Sequence, residues 1–191
     1  SGPADTLETA NLMYIHAINS AKERIWIASP YFVPDKPVTD ALQLAGLRGV
    51  DVRILIPDKP DNALVGLAAY SYVLDASRTG GKFYRYGPGF LHEKVMLIDH
   101  STATVGTANF DNRSFRLNFE ITLAVADRRF ASQVAEMLEG DFARSVEVGR
   151  DDYESRSLTF KVGSRAARLL APILCTPRPQ RQWRKFQPLT R

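Results

Sequence analysis

The sequence predicts an α/β layered domain in which a mixed β-sheet is flanked by helices. Runs rich in β-branched residues, at 24–29, 50–56 and 95–98, alternate with segments in which apolar residues recur at helical spacing. Alternation of this kind is typical of layered α/β folds. The chain has 191 residues, of which 45% are apolar and 24% charged. It is therefore long enough to bury a core of its own without disulfides or metals.

Taken in order, the elements follow from apolar spacing and from the prolines and glycines between them. The pattern predicts helices over 5–22, from 34–35 to about 46–49, and over 62–78, 129–146 and 153–171. It predicts strands over 24–29, 50–56, 82–86, 95–98, 103–106 and 118–125. Asp5 and Glu8 resemble a capping box at the start of the first helix. We divide the chain into a main domain over 5–150, a terminal helical segment over 151–175 and a basic flexible tail over 176–191.

Charge is distributed unevenly along the chain. Residues 161–191 contain eight Lys and Arg and no Asp or Glu, whereas the first 160 residues have 17 basic and 21 acidic residues, a net charge of −4. A basic tail of this kind favours contact with an anionic surface, lipid or nucleic acid, although a solvated terminus would have the same composition. No apolar run approaches the roughly 20 residues of a membrane span. One cysteine, Cys175, and three scattered histidines predict neither a disulfide nor a metal site.

The segment 90–120 carries the residues with chemical potential. His92 and Lys94 are two apart and are expected on the same face at a strand edge, where an imidazole could attack phosphorus beside a charge-balancing ammonium. The amide of Asn109 could donate to the same phosphate. A carboxylate at Glu120 could accept from the imidazole Nδ1–H, which would fix the tautomer and leave Nε2 free to attack.

The same residues resemble the signature of the phospholipase D superfamily. His92-Glu93-Lys94, Asp99 and the run Gly-Thr-Ala-Asn at 106–109 carry the resemblance. Four segments are similar, more narrowly, to the carboxy-terminal half of bacterial cardiolipin synthases. They are 30–35 (PYFVPD), 48–53, 88–92 and 109–120. The resemblance covers about residues 6–174. It identifies 5–150 as a phospholipase D-like catalytic half-domain.

The resemblance implies phosphatidyl transfer through a phosphohistidine, with no cofactor and no metal, by two half-sites that face each other. His92 would be one histidine of the pair, Lys94 and Asn109 would bind the phosphate, and Glu120 would orient an imidazole. Asp99 belongs to the catalytic motif and is expected to organise it. We also predict substrate contacts from Phe90, in the Gly-Pro-Gly loop before His92, and from Ser114.

The function that the resemblance implies is synthesis of cardiolipin from two phosphatidylglycerols, with release of glycerol. The expected partners are phosphatidylglycerol, an anionic membrane surface, and an amino-terminal half-domain of the same protein or a second copy; we expect no nucleic-acid partner. Because one half-site is present, we expect the sequence to be part of a longer protein of the bacterial inner membrane, cytoplasmic or peripheral in this portion. Two alternatives remain open: a homodimeric phosphodiester hydrolase of lipid or nucleic acid, and a non-catalytic membrane-binding fragment.

Overall fold

In the computed structural model the sheet lies between two layers of helices. The structure describes residue 2 and residues 7–174, the last four of them by backbone alone. The helices are α1 Thr9–Ser20, α2 Lys36–Leu47, α3 Ala63–Ser77, α4 Asn112–Arg116, α5 Arg128–Ala143, α6 Arg150–Ser155 and α7 Leu158–Leu174. The strands are β1 Arg24–Ala28, β2 Phe32–Val33, β3 Asp51–Pro57, β4 Lys82–Tyr86, β5 Val95–Ile98, β6 Thr102–Gly106, β7 Phe110–Asp111, β8 Thr122–Ala126 and β9 Ser145–Val148.

Seven strands form one mixed sheet in the order β8-β6-β5-β1-β3-β4-β9, and β2 pairs with β7 in a second, two-stranded sheet. The central strands β1, β3 and β4 are parallel, and the strands that flank them are antiparallel. Parallel strands have all their carboxyl ends at one edge of the sheet, which we call the carboxyl edge. β5 starts at this edge, because its first residue Val95 pairs with Ala28, the last residue of β1.

Each face of the sheet carries its own apolar core. On one face, side chains such as Ile27, Ile54 and Met96 pack with residues of α1, α2 and α3. On the opposite face, Leu55 and Leu97 pack with Leu138 and other residues of α5. Strand side chains alternate between the two faces, which is the period of two expected for strands buried on both sides. The predicted mixed sheet between helices is confirmed.

Several predicted boundaries were wrong, for reasons that lie in caps and pairing. The first helix begins at Thr9, not residue 5; Asp5 lies outside the described residues, and Glu8 precedes the helix with φ +50° and no side-chain cap. Its carboxylate pairs with Arg116 at 3.0 Å instead. The helix predicted over 129–146 ends at Ala143, and Ser145–Val148 forms β9 along the edge of β4. The predicted helix over 153–171 is two helices, separated at Arg156, where the backbone is extended.

The remaining observations concern short strands, the start of β8 and the carboxy-terminal region. The sequence gives no signal for the two-residue strands β2 and β7, and the strand predicted from residue 118 begins only at Thr122. α7 lies against α3 and buries Ala167 and Ser164. The predicted tail over 176–191 lies outside the described residues. Among the described helices, none combines the length and apolar character that a membrane crossing requires.

Candidate active site at the carboxyl edge of the sheet

Side chains from five loops meet at the carboxyl edge. Tyr31 follows β1, Asp61 follows β3, the segment 90–94 joins β4 to β5, Asn109 follows β6, and Glu120 precedes β8. Crevices at this edge are where open α/β sheets bind ligands, because loops converge there on a rigid scaffold. The fold therefore brings together residues that are up to 89 positions apart in the chain, from Tyr31 to Glu120.

His92 and Lys94 lie just before β5, at the strand edge where the sequence led us to expect them. Residues 91–94 have no regular secondary structure, and β5 begins at Val95. The alternation of the strand nevertheless continues into this segment. Leu91 and Val95 are buried with α5, whereas the Lys94 ammonium donates to the backbone oxygen of His92 at 2.7 Å. The Lys94 side chain is therefore fixed to the backbone of His92 without a strand to hold the two residues.

The imidazole of His92 is exposed and is supported by an aromatic ring. The ring of Phe90 stacks on it with centroids 5.3 Å apart and an interplanar angle of 16°. Phe90 itself is 68% exposed, although a phenyl ring gains from burial. This arrangement leaves a nucleophilic side chain facing outwards, beside an apolar surface that a ligand could cover.

Three carboxylates lie within electrostatic reach of Lys94. Burial lowers the pKa of the Lys94 ammonium, and the negative charges of Glu120, Asp111 and Asp61 oppose that effect. An ammonium balanced in this way has spare donors for an incoming anion, since only one of its three hydrogens is committed to His92. Lys94 thus has the electrostatic setting that a phosphate-binding cation needs.

Asp61 and Tyr31 also lie at this edge, and neither is among the site residues predicted above. The Tyr31 hydroxyl donates to both carboxylate oxygens of Asp61, at 2.8 and 2.7 Å. Burial and the negative charges of Asp61 and Asp111 raise the pKa of Tyr31 to about 12. Asp61 follows Lys59 and Pro60 in what reads as an ordinary turn, so the sequence carries no signal that would select it.

Glu120 lies beside Thr107 and Asn118. The Thr107 hydroxyl donates to one oxygen of the carboxylate, and the Asn118 amide donates to the other at 3.1 Å. These bonds fix the carboxylate at the start of β8, within electrostatic reach of Lys94. Its predicted role, orienting an imidazole, stays a prediction.

Asn109 presents a buried polar atom to the site. Its Oδ1 has no hydrogen-bond partner among the described residues, and the atom is shielded from solvent. Leaving a buried acceptor unpaired costs about 1–3 kcal/mol, so such atoms in folded proteins call for an explanation. A phosphate has no hydrogen to give to this oxygen, so the part of the Asn109 amide that could bind a phosphate is its Nδ2–H group.

Gly106 allows the close pairing of β6 with β8. A Cβ atom at this position would lie 2.3 Å from the Ile121 carbonyl oxygen and 2.7 Å from the Cα of Thr122. Only glycine lets β6 and β8 approach this closely. The resulting pairing aligns Asn109 and Glu120 at the same edge.

Two predicted site residues lie elsewhere. Asp99 follows the other end of β5, five positions from Lys94, which is about 16 Å at the usual rise per residue. There its carboxylate accepts from the backbone N–H groups of Lys22, Glu23 and Arg24 at 2.8–3.1 Å. Asp99 therefore does not reach a phosphate at His92 in this structure, and its expected role, organising the motif, stays a prediction.

Ser114 corrects a predicted substrate contact. Its side chain is 0% exposed, and its backbone N–H donates at 2.7 Å to Asp111, which caps α4. A substrate cannot reach it in this structure, so the predicted contact was wrong. Burial raises the pKa of Asp111, and its hydrogen bonds to Ser114 oppose that rise. Ser114 thus helps to hold the buried carboxylate of Asp111 at the start of α4.

A pair of carboxyl groups lies behind the site, on the α5 side of the segment 91–94. Burial and the adjacent, hydrogen-bonded Asp141 raise the pKa of Glu93 to about 7, and Arg144 opposes this. Asp141 is itself buried and accepts from Arg144 at 2.6 Å. The peptide that holds His92 and Lys94 is therefore anchored to α5 through a carboxyl that is largely protonated below neutral pH.

This anchor predicts a pH-dependent stability. A carboxyl whose pKa is raised on folding binds a proton more tightly in the folded state, so stability falls as the pH rises from about 4.5 to 7. We expect Glu93→Gln to remove this slope and to raise the free energy of unfolding at pH 8 by about 1 kcal/mol, after allowance for solvent screening. Urea unfolding at pH 5 and pH 8 measures it. Glu139→Gln, on the exposed side of α5, is the control; equal changes in both variants would contradict the anchor.

Similarity to known proteins decides which family these residues belong to. Residues 14–142 match the family model described as cardiolipin synthase, PLD-like domain. The chain belongs to this family. It is 55% identical over 174 residues to cardiolipin synthase A of Pseudomonas aeruginosa and 52% identical over 174 residues to that of Pseudomonas putida. In both cases the match covers 91% of this chain and 36% of the relative, so the chain spans about a third of their length.

Solved structures show the same phospholipase D fold. The crystal structure of a phospholipase D family member, NUC from Salmonella typhimurium, matches with a TM-score of 0.68 and 21% identity, covering 76% of this chain and 95% of that one. Phosphatidylserine synthase of Haemophilus influenzae matches with a TM-score of 0.64 and 15% identity, covering 86% of this chain but 43% of that one. This fold thus occurs both as nearly a whole chain and as less than half of a longer chain.

Proposed function

We propose that the chain supplies one of the two half-sites of a phosphatidyltransferase, which joins two phosphatidylglycerol molecules into cardiolipin and releases glycerol. The observation that carries the proposal is the exposed imidazole of His92, stacked on Phe90, in a chain of the cardiolipin synthase PLD-like family. The ammonium of Lys94 is held at the same residue by its bond to the His92 backbone oxygen. An outward-facing imidazole beside a balanced ammonium suits attack on a phosphodiester.

In the proposed reaction, an imidazole nitrogen of one half-site attacks phosphorus and forms a P–N bond. The P–O bond to the glycerol headgroup breaks, and the leaving oxygen takes a proton from the imidazolium of the other half-site. The hydroxyl of a second phosphatidylglycerol then attacks phosphorus, gives its proton to that second imidazole, and releases the first. Lys94 and the Asn109 amide balance the charge on the non-bridging oxygens throughout. His92 takes one of the two imidazole roles.

The proposed reaction needs a second half-site because it uses two imidazole groups. One imidazole cannot hold phosphorus in a P–N bond and also protonate the leaving oxygen. Of the other histidines, His100 lies next to Asp99 at the opposite end of the sheet, where it pairs with Glu23 at 2.8 Å, and His16 is exposed on α1. We therefore place the missing imidazole on another half-domain.

An apolar rim around Glu120 and β8 offers that half-domain a surface. Phe119, Ile121 and Leu123 are 64–81% exposed at the start of β8, an edge strand of the sheet. Exposed edge strands and apolar patches favour pairing with another chain or domain. Since the relatives are about three times as long as this chain, we propose that the amino-terminal half of the same protein covers the rim. A second copy is the alternative partner.

The substrate and location proposed for the whole protein are phosphatidylglycerol and an anionic membrane surface. The basic residues of 161–191 favour such a surface, because a juxtamembrane Lys or Arg contributes about 1 kcal/mol towards anionic lipid. The chain would then act at the inner membrane of a bacterium as a peripheral portion of the enzyme.

Reconstitution tests the proposal. The chain alone, and the chain together with the amino-terminal half of its own protein, are incubated with phosphatidylglycerol vesicles, and cardiolipin, glycerol and phosphatidic acid are measured. We expect cardiolipin and glycerol in equal amounts only when both halves are present. Phosphatidic acid as the sole lipid product would show a hydrolase instead. Cardiolipin formed by the chain alone would show that two copies of His92 meet in a homodimer.

A further inference from the structure

A second concave surface lies on the helical side of the domain and contains none of the residues around His92. It is a cleft of about 680 Å³ between α2, α3, α4 and α7. Sites for small ligands typically measure about 300–1,000 Å³. The cleft therefore has room for a ligand of headgroup size.

The cleft has more positive than negative charge. Five basic side chains and three carboxylates line it, which leaves a formal charge of +2. Three of the cations already hold carboxylates, in the pairs Lys36–Asp40 at 2.7 Å, Arg116–Asp35 at 3.2 Å and Arg168–Asp75 at 2.6 Å. Arg78 and Arg165 form no ion pair with any described residue. The surplus charge of the cleft therefore belongs to these two guanidinium groups.

One paired arginine gives the cleft a rigid wall. The guanidinium of Arg168 is fixed between the carboxylate of Asp75 and the ring of Tyr72, whose centroid lies 4.2 Å from Cζ. An arginine held in this way retains free N–H groups while losing little further entropy on binding. Guanidinium forks match phosphate oxygens in pairs, which makes them suited to phosphate recognition.

An apolar stripe continues from the cleft along α7. Leu169 lines the cleft and is 76% exposed. Leu158 and Val162 are exposed on the same side of the helix, because Leu158 precedes Val162 by four residues and Val162 precedes Leu169 by seven. Exposed apolar residues flanked by basic ones are typical of helices that lie in the membrane interface. A soluble anion would need only the arginines, whereas a lipid would use both the arginines and the stripe.

We propose that this cleft is a second phosphate-binding site, which takes the headgroup of an anionic phospholipid while the lipid chains lie along the exposed stripe of α7. Arg78 and Arg165 contact the phosphate, and Arg168 forms the fixed side of the site. The site binds lipid without reacting with it, since none of the described residues that line it has an imidazole or a thiol. It is independent of the proposed transferase activity and would hold the domain on the membrane beside its substrate.

A charge-matched pair of variants tests the cleft. Arg78→Gln with Arg165→Gln removes both unpaired cations; Arg128→Gln with Arg129→Gln removes the same charge from the exposed surface of α5, on the opposite side of the sheet. All four residues are exposed, so both variants are expected to fold, which circular dichroism checks. Binding is measured by flotation of the full chain with phosphatidylcholine vesicles that contain phosphatidylglycerol, at low salt. A loss of about 1 kcal/mol per charge predicts binding about 30-fold weaker for the cleft variant and a much smaller change for the α5 variant.

The remaining measurements distinguish a specific site from general attraction between the basic protein and anionic vesicles. They also distinguish a lipid from a free anion. Equal weakening in the two variants, or unchanged binding in the cleft variant, would overturn the proposal. Calorimetry with inorganic phosphate and with glycerol 3-phosphate is run alongside. A soluble anion that binds and depends on Arg78 and Arg165, with no corresponding difference on vesicles, would overturn the lipid assignment. Neither outcome depends on cardiolipin synthesis, so failure here and failure of the proposed function can be told apart.

Discussion

His92→Ala is expected to lower the rate of cardiolipin formation by the reconstituted protein by at least about 1,000-fold. The reason holds for either role of the imidazole. As nucleophile it forms the P–N bond, and as general acid it protonates the leaving glycerol; alanine can do neither. The exposed imidazole makes few packing contacts besides its stack on Phe90, so the variant should fold normally. Cardiolipin and glycerol are measured together, in the presence of both halves.

His16→Ala is the matched control, because it removes another exposed imidazole, from the surface of α1. It should retain the full rate. Cardiolipin formation that survives His92→Ala would contradict the proposed mechanism. Trapping with labelled lipid then assigns the role: label bound covalently to this chain marks His92 as the nucleophile, and label on the other half marks it as the acid.

Strands were easier to locate from the sequence than their neighbours in the sheet. β4 and β5 begin and end where apolar runs meet glycine, proline or polar residues, and their predicted bounds at 82–86 and 95–98 were confirmed. Such runs are local signals. The placement of antiparallel β5 beside β1, with Val95 opposite Ala28, is a tertiary feature that no local pattern contains.

The elements that sequence reasoning missed depend on distant partners. β9 continues an apparently helical pattern, yet Ser145–Val148 pairs with β4 because α5 ends when the Arg144 backbone N–H and side chain both bond to Asp141. The short α4 depends on its Asp111 cap, which ordinary spacing rules do not detect in a five-residue helix. Pairing across a sheet and short capped turns override local propensity.

The candidate site shows the same contrast between local sequence signals and tertiary contacts. His92, Lys94, Asn109 and Glu120 could be selected from the sequence because they lie in one segment whose residue types suit phosphate chemistry. Asp61 could not, since it meets the site only because β3 and β5 are both neighbours of β1. Conversely, Ser114 looked suitable by residue type and is buried. Residue chemistry thus identified candidates, and the topology decided which of them reach the carboxyl edge.

Asp99 provides the second large effect, on stability rather than chemistry. Its carboxylate accepts three backbone N–H bonds from Lys22, Glu23 and Arg24, which close the turn between α1 and β1. Its own backbone has φ +51°, a conformation that Asp, Asn and Gly tolerate better than Ala does. Asp99→Ala removes the acceptor and strains the backbone, so we expect the free energy of unfolding to fall by about 3 kcal/mol.

Three substitutions at this position separate the two causes. Asp99→Gly removes the carboxylate but suits the positive φ, and should cost about 1 kcal/mol less than Asp99→Ala. Asp99→Asn keeps an acceptor oxygen and tolerates the same φ, so it should be the mildest of the three. Urea unfolding of each variant gives the free energies. If Ala and Gly were equally destabilising, the positive φ would carry no cost and the lost hydrogen bonds would account for the whole effect.

The activity of these variants decides whether Asp99 is part of the chemistry. Because Asp99 lies at the far end of β5 from Lys94, folded Asp99→Asn should transfer phosphatidyl groups at nearly the native rate per folded molecule. The rate is measured at a temperature well below the variant's unfolding midpoint, with His92→Ala as the inactive reference. A rate that fell as far as that of His92→Ala, in a protein shown to be folded, would return Asp99 to the catalytic residues. A normal rate combined with lower stability would mean that the aspartate of the motif supports the histidine and lysine only by fixing the strand that follows them.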